Sequence, residues 1–314
     1  MRSALVSDLI TEEVPSALVG ERLDRIVSLI GDISRSDATK AIAAGGVTVD
    51  GVPAPSGKVR MVEGQTVVVD PSSFPTVEYP QGDASVEFDV VHEDDSVIVV
   101  DKPPGLVVHP GAGNDQGTLA NGLLARYPEL EDVGERTRPG IVHRLDAGSS
   151  GLLVVARTND AVERLIEQFA DHSATRVYDA MVWGVPEAPH GIIDAPLGRS
   201  RSDPLRMAVV ADGRPSRTDY RVVGTYSSPA TVSRLECRLE TGRTHQIRVH
   251  LSSINHPLLG DPTYGQRRPN LGLKRPFLHA AELQFRHPAT GERVTFHSPL
   301  APDLQTWLDT KAQV

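Results

Sequence analysis

Apolar positions recur along this chain in two rhythms. Leu23, Ile26, Val27 and Ile30 fall three and four apart, so the spacing predicts a helix with one apolar stripe, closed by Gly31. Ser34 is placed to cap a second helix through Ala38, Ile42 and Ala43, which stops at Gly45-Gly46. Val47-Thr48-Val49 then alternates as a strand, Asp50-Gly51 is a hairpin turn, and Val67-Val68-Val69 closes the unit. Residues 71–82 are rich in Pro, Ser and Gly, have no apolar period, and read as a linker. Beyond them strands dominate: 88–91 and 96–100 around the acidic turn Glu93-Asp94-Asp95, then 152–156, 176–182 and 232–239. Helices are expected over 118–127 and 159–170, the latter with Val162, Leu165, Ile166 and Phe169 on one face.

At 314 residues the chain is long enough for one large domain beside a small one. Its strongest apolar run, Val97-Ile98-Val99-Val100, is far too short to span a bilayer, and no apolar stretch after Met1-Arg2-Ser3 resembles a secretory signal. The single cysteine, Cys237, excludes an intramolecular disulfide and a cysteine-bound metal cluster. A cytoplasmic protein is therefore expected, with no membrane partner.

A net charge of -9 argues against a uniformly nucleic-acid-binding surface, but the charge is unevenly spread. Residues 1–100 hold seventeen acidic against seven basic side chains, whereas residues 199–275 hold fourteen basic against six acidic. Positive charge concentrated in one segment is what a phosphate-binding face requires. The six arginines from Arg199 to Arg221 are expected as a basic rim.

The chemistry centres on residues 138–156. Arg144 and Asp146 sit in a loop walled by Pro139-Gly140 before and Gly148 to Gly151 after, and the loop runs into the apolar strand Leu152-Leu153-Val154-Val155-Ala156. Charged side chains between turn residues and a buried strand are held at the end of a sheet, where a scaffold aims them at a ligand. An ion pair at a strand end is the plain alternative for two such residues taken alone.

The full run resolves that alternative. His143-Arg144-Leu145-Asp146, with Ser149-Ser150-Gly151-Leu152-Leu153 after it, resembles the signature of the RluA-type RNA pseudouridine synthases, which usually carry Thr-Ser-Gly where this chain has Ser149-Ser150-Gly151. Asp101-Lys102-Pro103-Pro104-Gly105 resembles a second block of the family, normally begun by Asn-Lys-Pro. Leu239-Glu240-Thr241-Gly242-Arg243-Thr244-His245-Gln246-Ile247-Arg248 resembles a third, with Thr244 expected to cap a helix. His256 to Gly265 and Phe277-Leu278-His279-Ala280 extend the likeness over nearly the whole chain. Residues 19–70 resemble the alpha-L RNA-binding module, after an extension over 1–18 and before the linker and a catalytic domain over 83–314. That module places the chain near the RluD branch.

The resemblance implies an α+β fold: a mixed, mainly antiparallel sheet with flanking helices and a central cleft, preceded by the small module. It implies Asp146 as the catalytic carboxylate, Arg248 as its partner arginine and Tyr178 as the cover of the target base. Arg144 would enter the gap left by a flipped nucleotide, because guanidinium planes stack where bases stack. Ile247 would pack against the base, while Arg243, Lys102, Arg35 and Lys40 join the expected RNA contacts.

With six Lys/Arg against seven Asp/Glu over 20–70, the module is expected to help dock a large RNA without binding tightly alone. Neither a metal nor an organic cofactor is implied; Gly111-Ala112-Gly113 lacks the next glycine of a dinucleotide loop. The implied partner is structured RNA, foremost large-subunit ribosomal RNA, bound by a monomer. Whether Asp146 attacks carbon 1 of the ribose or takes a proton from carbon 2 stays open. A non-catalytic RNA-binding assembly factor is the rival, and a sugar hydrolase would need a second acid at defined separation.

Overall fold

The computed structural model describes residues 9–74, 79–111, 114, 116–203 and 206–312. The chain divides into two compact units, residues 1–78 and 79–314. The opening residues Met1-Arg2-Ser3, positions 75–78 of the expected linker, and Ala112-Gly113 lie outside the described residues.

The first unit holds β1 (Ile10–Glu13), α1 (Leu23–Ile30), α2 (Arg35–Ala43), β2 (Val47–Val49), β3 (Val52–Pro53) and β4 (Thr66–Val69). The helices stand where the apolar spacing places them. Ser34 Oγ accepts from Asp37 N at 3.1 Å, and Gly31 closes α1. Asp50 and Gly51 both take left-handed φ, as a two-residue hairpin turn demands. Leu23, Val27, Ala38, Val47 and Val67 form a fully buried core.

Within the expected extension over 1–18, the described residues include a strand. Ile10 to Glu13 pair antiparallel with Val69 to Thr66, giving the sheet order β1-β4-β2-β3. The physical reason is that β4 would otherwise keep one open edge. The expected linker also shrinks: Phe74 packs on this core, while Asn121 binds the chain at Gln81 and Asp83 into the second unit.

The second unit contains β5 (Asp89–Glu93), β6 (Val97–Lys102), α3 (Leu119–Arg126), β7 (Ser150–Ala156), α4 (Asn159–Ala170), β8 (Thr175–Trp183) and β9 (His190–Asp194). There follow β10 (Leu197–Arg199), β11 (Met207–Val209), β12 (Arg217–Tyr226), β13 (Val232–Leu239), α5 (Gln246–Ser253), β14 (Leu278–Arg286), β15 (Arg293–His297) and α6 (Pro302–Lys311). Among the described residues nine strands form one sheet, in the order β5-β6-β7-β14-β8-β13-β12-β9 with β15 on β14. The β7–β14 pairing alone is parallel among them. β6 is apolar on both faces because both are covered: Ile98 and Val100 join one core, Val97 and Val99 another.

Two details of this sheet set the site. Gly151, the second residue of β7, has φ +108, and a Cβ there would run into the Ala280 carbonyl, so glycine is what lets β14 lie against the end of the Asp146 loop. Tyr178 on β8 pairs with Cys237 on one side and Ala280 on the other, which puts it mid-sheet. Cys237 is fully buried and packs in the core. Among the described residues no helix is long and apolar enough to cross a membrane.

Candidate active site

The loop carrying Asp146 is fixed from beneath by two cations. The Lys102 ammonium donates to the carbonyls of Pro103 at 2.8 Å, Leu106 at 2.8 Å and Ala147 at 3.3 Å, while Gly105 N donates to the same Ala147 carbonyl. Arg275 holds the next carbonyl, Gly148, at 3.1 Å and is itself gripped through two 2.7 Å bonds by Asp303. Lys102 is therefore not an RNA contact, contrary to expectation: its side chain is wholly buried and every donor is engaged inside the protein. Burial first, then the Arg275 charge, pulls its pKa down to about 7, while three carbonyl acceptors for three protons favour the ammonium.

His143 serves the same loop. Its Nε2 accepts from Val154 N at 3.0 Å, its ring lies 4.5 Å from that of Phe169, and burial pushes its pKa down to about 3. The imidazole is thus neutral with its proton on Nδ1.

Arg248 projects from α5 and meets Asp146 Oδ2 through Nη1 at 3.2 Å. Its other edge is bidentate to Asp261, with Nε at 2.7 Å and Nη2 at 3.0 Å. Asp261 also accepts from the backbone of Thr263 at 2.8 Å and Tyr264 at 3.0 Å, and the Tyr264 ring lies 5.1 Å from the guanidinium carbon. Burial works against the Arg248 charge, but the Asp261 hydrogen bonds and charge outweigh it, with Asp146 adding to them, and hold its pKa above the ordinary value. Burial likewise opposes the Asp261 charge, and the Arg248 hydrogen bonds prevail, so its carboxyl titrates below the usual range. A guanidinium anchored this way has one position left from which to face Asp146.

The helix bearing Arg248 starts differently from the expectation. α5 begins at Gln246, and the residue before it is His245 in left-handed conformation at φ 58, with no side-chain cap from Thr244. The turn is held instead by Gln246: its Oε1 accepts from Thr241 Oγ1 at 2.7 Å and Arg243 N at 3.0 Å, and its Nε2 donates to the Arg217 carbonyl at 2.9 Å. His245 Nδ1 lies 3.0 Å from the Tyr264 hydroxyl, and burial depresses its pKa.

These elements enclose a cleft whose walls include Asp146, Arg248, Tyr178, Ile247, Arg144 and Arg243. Tyr178 is 5 % exposed, and burial pushes its phenol up to about 12, so it is a neutral ring in the wall. Arg144 is exposed at the mouth with no hydrogen-bond partner among the described residues. Arg243 has no carboxylate partner there either; its Nε reaches the Pro215 carbonyl at 3.4 Å.

Several of the cations expected farther out are occupied. Arg201, Arg217 and Arg221 pair with Asp212, Glu240 and Glu236, so the rim is less basic than the residue count suggests. In the small unit Arg35 pairs with Asp24 at 2.7 Å and Lys40 with Asp37 at 2.8 Å.

Sequence reasoning missed Asp261, Arg275 with Asp303, and Arg176. The first three act on residues far away in the chain, which no local spacing encodes. Arg176 had a signal: it lies two residues before Tyr178, so strand alternation sends both side chains to one face.

Comparison with known proteins fits this geometry. A family model described as RNA pseudouridylate synthase matches residues 96–253. A "Ribosomal large subunit pseudouridine synthase D" of Zymomonas mobilis is 44% identical, covering 94% of each chain. An "Uncharacterized RNA pseudouridine synthase" of Chloroflexus aurantiacus is 46% identical over 93% of this chain and 90% of its own. Among solved structures, the human RNA Pseudouridylate Synthase Domain Containing 1 protein covers 74% of this chain and 91% of its own at 27% identity, with a TM-score of 0.56. The matched segment runs from β6 through the Asp146 loop to the helix of Arg248, and this chain belongs to the RluA-type, RluD-like RNA pseudouridine synthases, isomerases that act on RNA.

Proposed function

We propose that the protein isomerises specific uridines of large-subunit ribosomal RNA to pseudouridine, with Asp146 as the catalytic carboxylate. The observation that carries the assignment is the Asp146–Arg248 contact at 3.2 Å inside a cleft walled by Tyr178 and Ile247. The reaction breaks the bond from ribose carbon 1 to N1 and forms one to C5 of the same base; C5 loses a proton and N1 gains one. A carboxylate beside the ribose serves either as nucleophile at carbon 1 or as base at carbon 2.

A uridine inside a helix does not present its ribose to such a cleft, so the nucleotide flips in at the cost of unstacking. Arg144, exposed and unengaged at the mouth, fills the vacated stack; Tyr178 covers the base and Ile247 packs against it. Arg248 is the positioning residue that sets the direction of the carboxylate.

The ribosomal substrate is supported by relatives named for it, which align over nearly the full chain. The first unit fits an alpha-L RNA-binding module that helps dock large RNA, and its internal ion pairs limit the phosphate contacts it offers. We read the enzyme as cytoplasmic and monomeric. Pseudouridine mapping of total RNA with and without the gene tests this: large-subunit sites should vanish on deletion and return with the wild-type gene. Loss confined to transfer RNA would refute the ribosomal assignment.

A further inference from the structure

Arg176 is a buried guanidinium without a counter-charge. It is 6 % exposed, its Nη2 donates to the Glu240 carbonyl at 3.1 Å, and its guanidinium carbon lies 5.1 Å from the Phe169 ring. Its Nε is buried and meets no acceptor. Among the described residues no carboxylate forms an ion pair with it, whereas the other buried guanidinium of the cleft, Arg248, meets two. Burial lowers the pKa of Arg176, and the nearby Arg243 charge lowers it further, so two cations converge with no anion between them. An uncompensated buried charge is strongly unfavourable for the folded chain, which leaves a ligand to supply the missing partner.

The surroundings say which ligand. Arg176, Gly242, Arg243 and Arg144 line both the catalytic cleft and a neighbouring groove that runs past Ile166 and Phe169. A strand leaving the cleft by that groove passes over the two guanidinium groups. A Cβ on Gly242 would run into Arg176 Nη1, so the bare backbone there gives the guanidinium room to lie in the groove wall. A neutral uracil carbonyl would leave the charge of the guanidinium uncompensated; a phosphodiester compensates it, and guanidinium groups suit its paired oxygens.

We propose that Arg176 and Arg243 form a seat for one backbone phosphate adjacent to the target uridine. The inference rests on the reading that Asp146 acts on a flipped uridine in this cleft. Its test is a cycle on the full-length protein with stem-loop RNAs carrying one neutral methylphosphonate, either 5′ or 3′ of the target uridine.

At one of the two positions the neutral linkage should lower wild-type kcat/KM by about 10- to 100-fold, the range of a charge-assisted contact. Arg176→Gln should impose a similar loss on the unmodified RNA, and the two changes together should cost little more than either alone. Because an unpaired charge has been removed, Arg176→Gln should melt no lower than the wild type. Penalties that multiply at both positions would overturn the seat, as would a lowered melting temperature with no coupling to either linkage. If wild-type protein converts the unmodified stem-loop and Asp146→Asn does not, such a result sinks this inference alone; if Asp146→Asn also converts it, the underlying reading fails as well.

Discussion

Replacing Asp261 with Asn removes the charge that anchors Arg248 while keeping the shape of the side chain. In the wild type the Asp261 side chain is wholly buried and that of Arg248 is 7% exposed, and the carboxylate grips two guanidinium nitrogens and two backbone N–H groups. An amide oxygen keeps part of that set, but its NH2 is turned against a cation. Removing one partner of a buried pair costs on the order of 3 kcal/mol at the lower end of measured cases. In a unit the size of residues 79–314, that corresponds to a melting temperature lower by roughly 6–12 °C.

Turnover should fall as well, since Arg248 is then free to move from its 3.2 Å contact with Asp146, and a displacement of about 1 Å near reacting atoms costs on the order of 100-fold. The pH dependence has a definite sign. Asp261 titrates below the usual carboxylate range when folded, so its contribution to stability is present above the unfolded value and disappears as pH falls through the folded one. The stability gap between wild type and Asp261→Asn should therefore narrow in acid below about pH 4. Thermal melts across pH and single-turnover rates on a stem-loop check both parts. A variant melting within about 2 °C of wild type at neutral pH, with unchanged turnover, would refute the argument.

Other side chains separate support from contact. Lys102→Met leaves the Pro103 and Leu106 carbonyls without their donor, takes one of two from Ala147, and should cost about 3 kcal/mol in stability together with turnover, while the salt dependence of RNA binding stays as in the wild type. A shallower salt slope would mean that Lys102 meets a phosphate after all. Arg144→Ala, at an exposed and unengaged position, should not change the melting temperature but should weaken stem-loop binding by roughly 1–3 kcal/mol, read by fluorescence of a 2-aminopurine beside the target. Deleting residues 1–78 should weaken binding to long ribosomal fragments more than it slows a short stem-loop; equal losses on both would contradict a docking role for the module.

The elements were legible in the sequence wherever one local rule sufficed. The α1 spacing, the Ser34 cap and the Asp50-Gly51 turn each depend on neighbours within a few residues, and each stands where expected. Asp146 and Arg248 were legible because their surrounding runs are long and specific, and the fold brings them into contact across 102 positions. What stayed hidden was set by distant chain: β1 is a strand only because β4 offers it an edge, and Lys102 is a support only because Ala147 curls back over it. Charge counts misled for the same reason. Arg217 and Arg221 raise the basic count of their segment, yet Glu240 and Glu236 on or beside the neighbouring strand neutralise them. Thr244 fits a cap pattern, but Gln246 reaches back to hold the turn from inside the helix.

The central claim is that one carboxylate, aimed by Arg248, performs the isomerisation. Single-turnover pseudouridine formation on a ribosomal stem-loop by wild type and Asp146→Asn, with binding of the same RNA measured in parallel, addresses it directly. The account expects no pseudouridine above background from the variant while its RNA affinity stays within a few-fold of wild type. Pseudouridine formed by Asp146→Asn at a rate near that of wild type would contradict it.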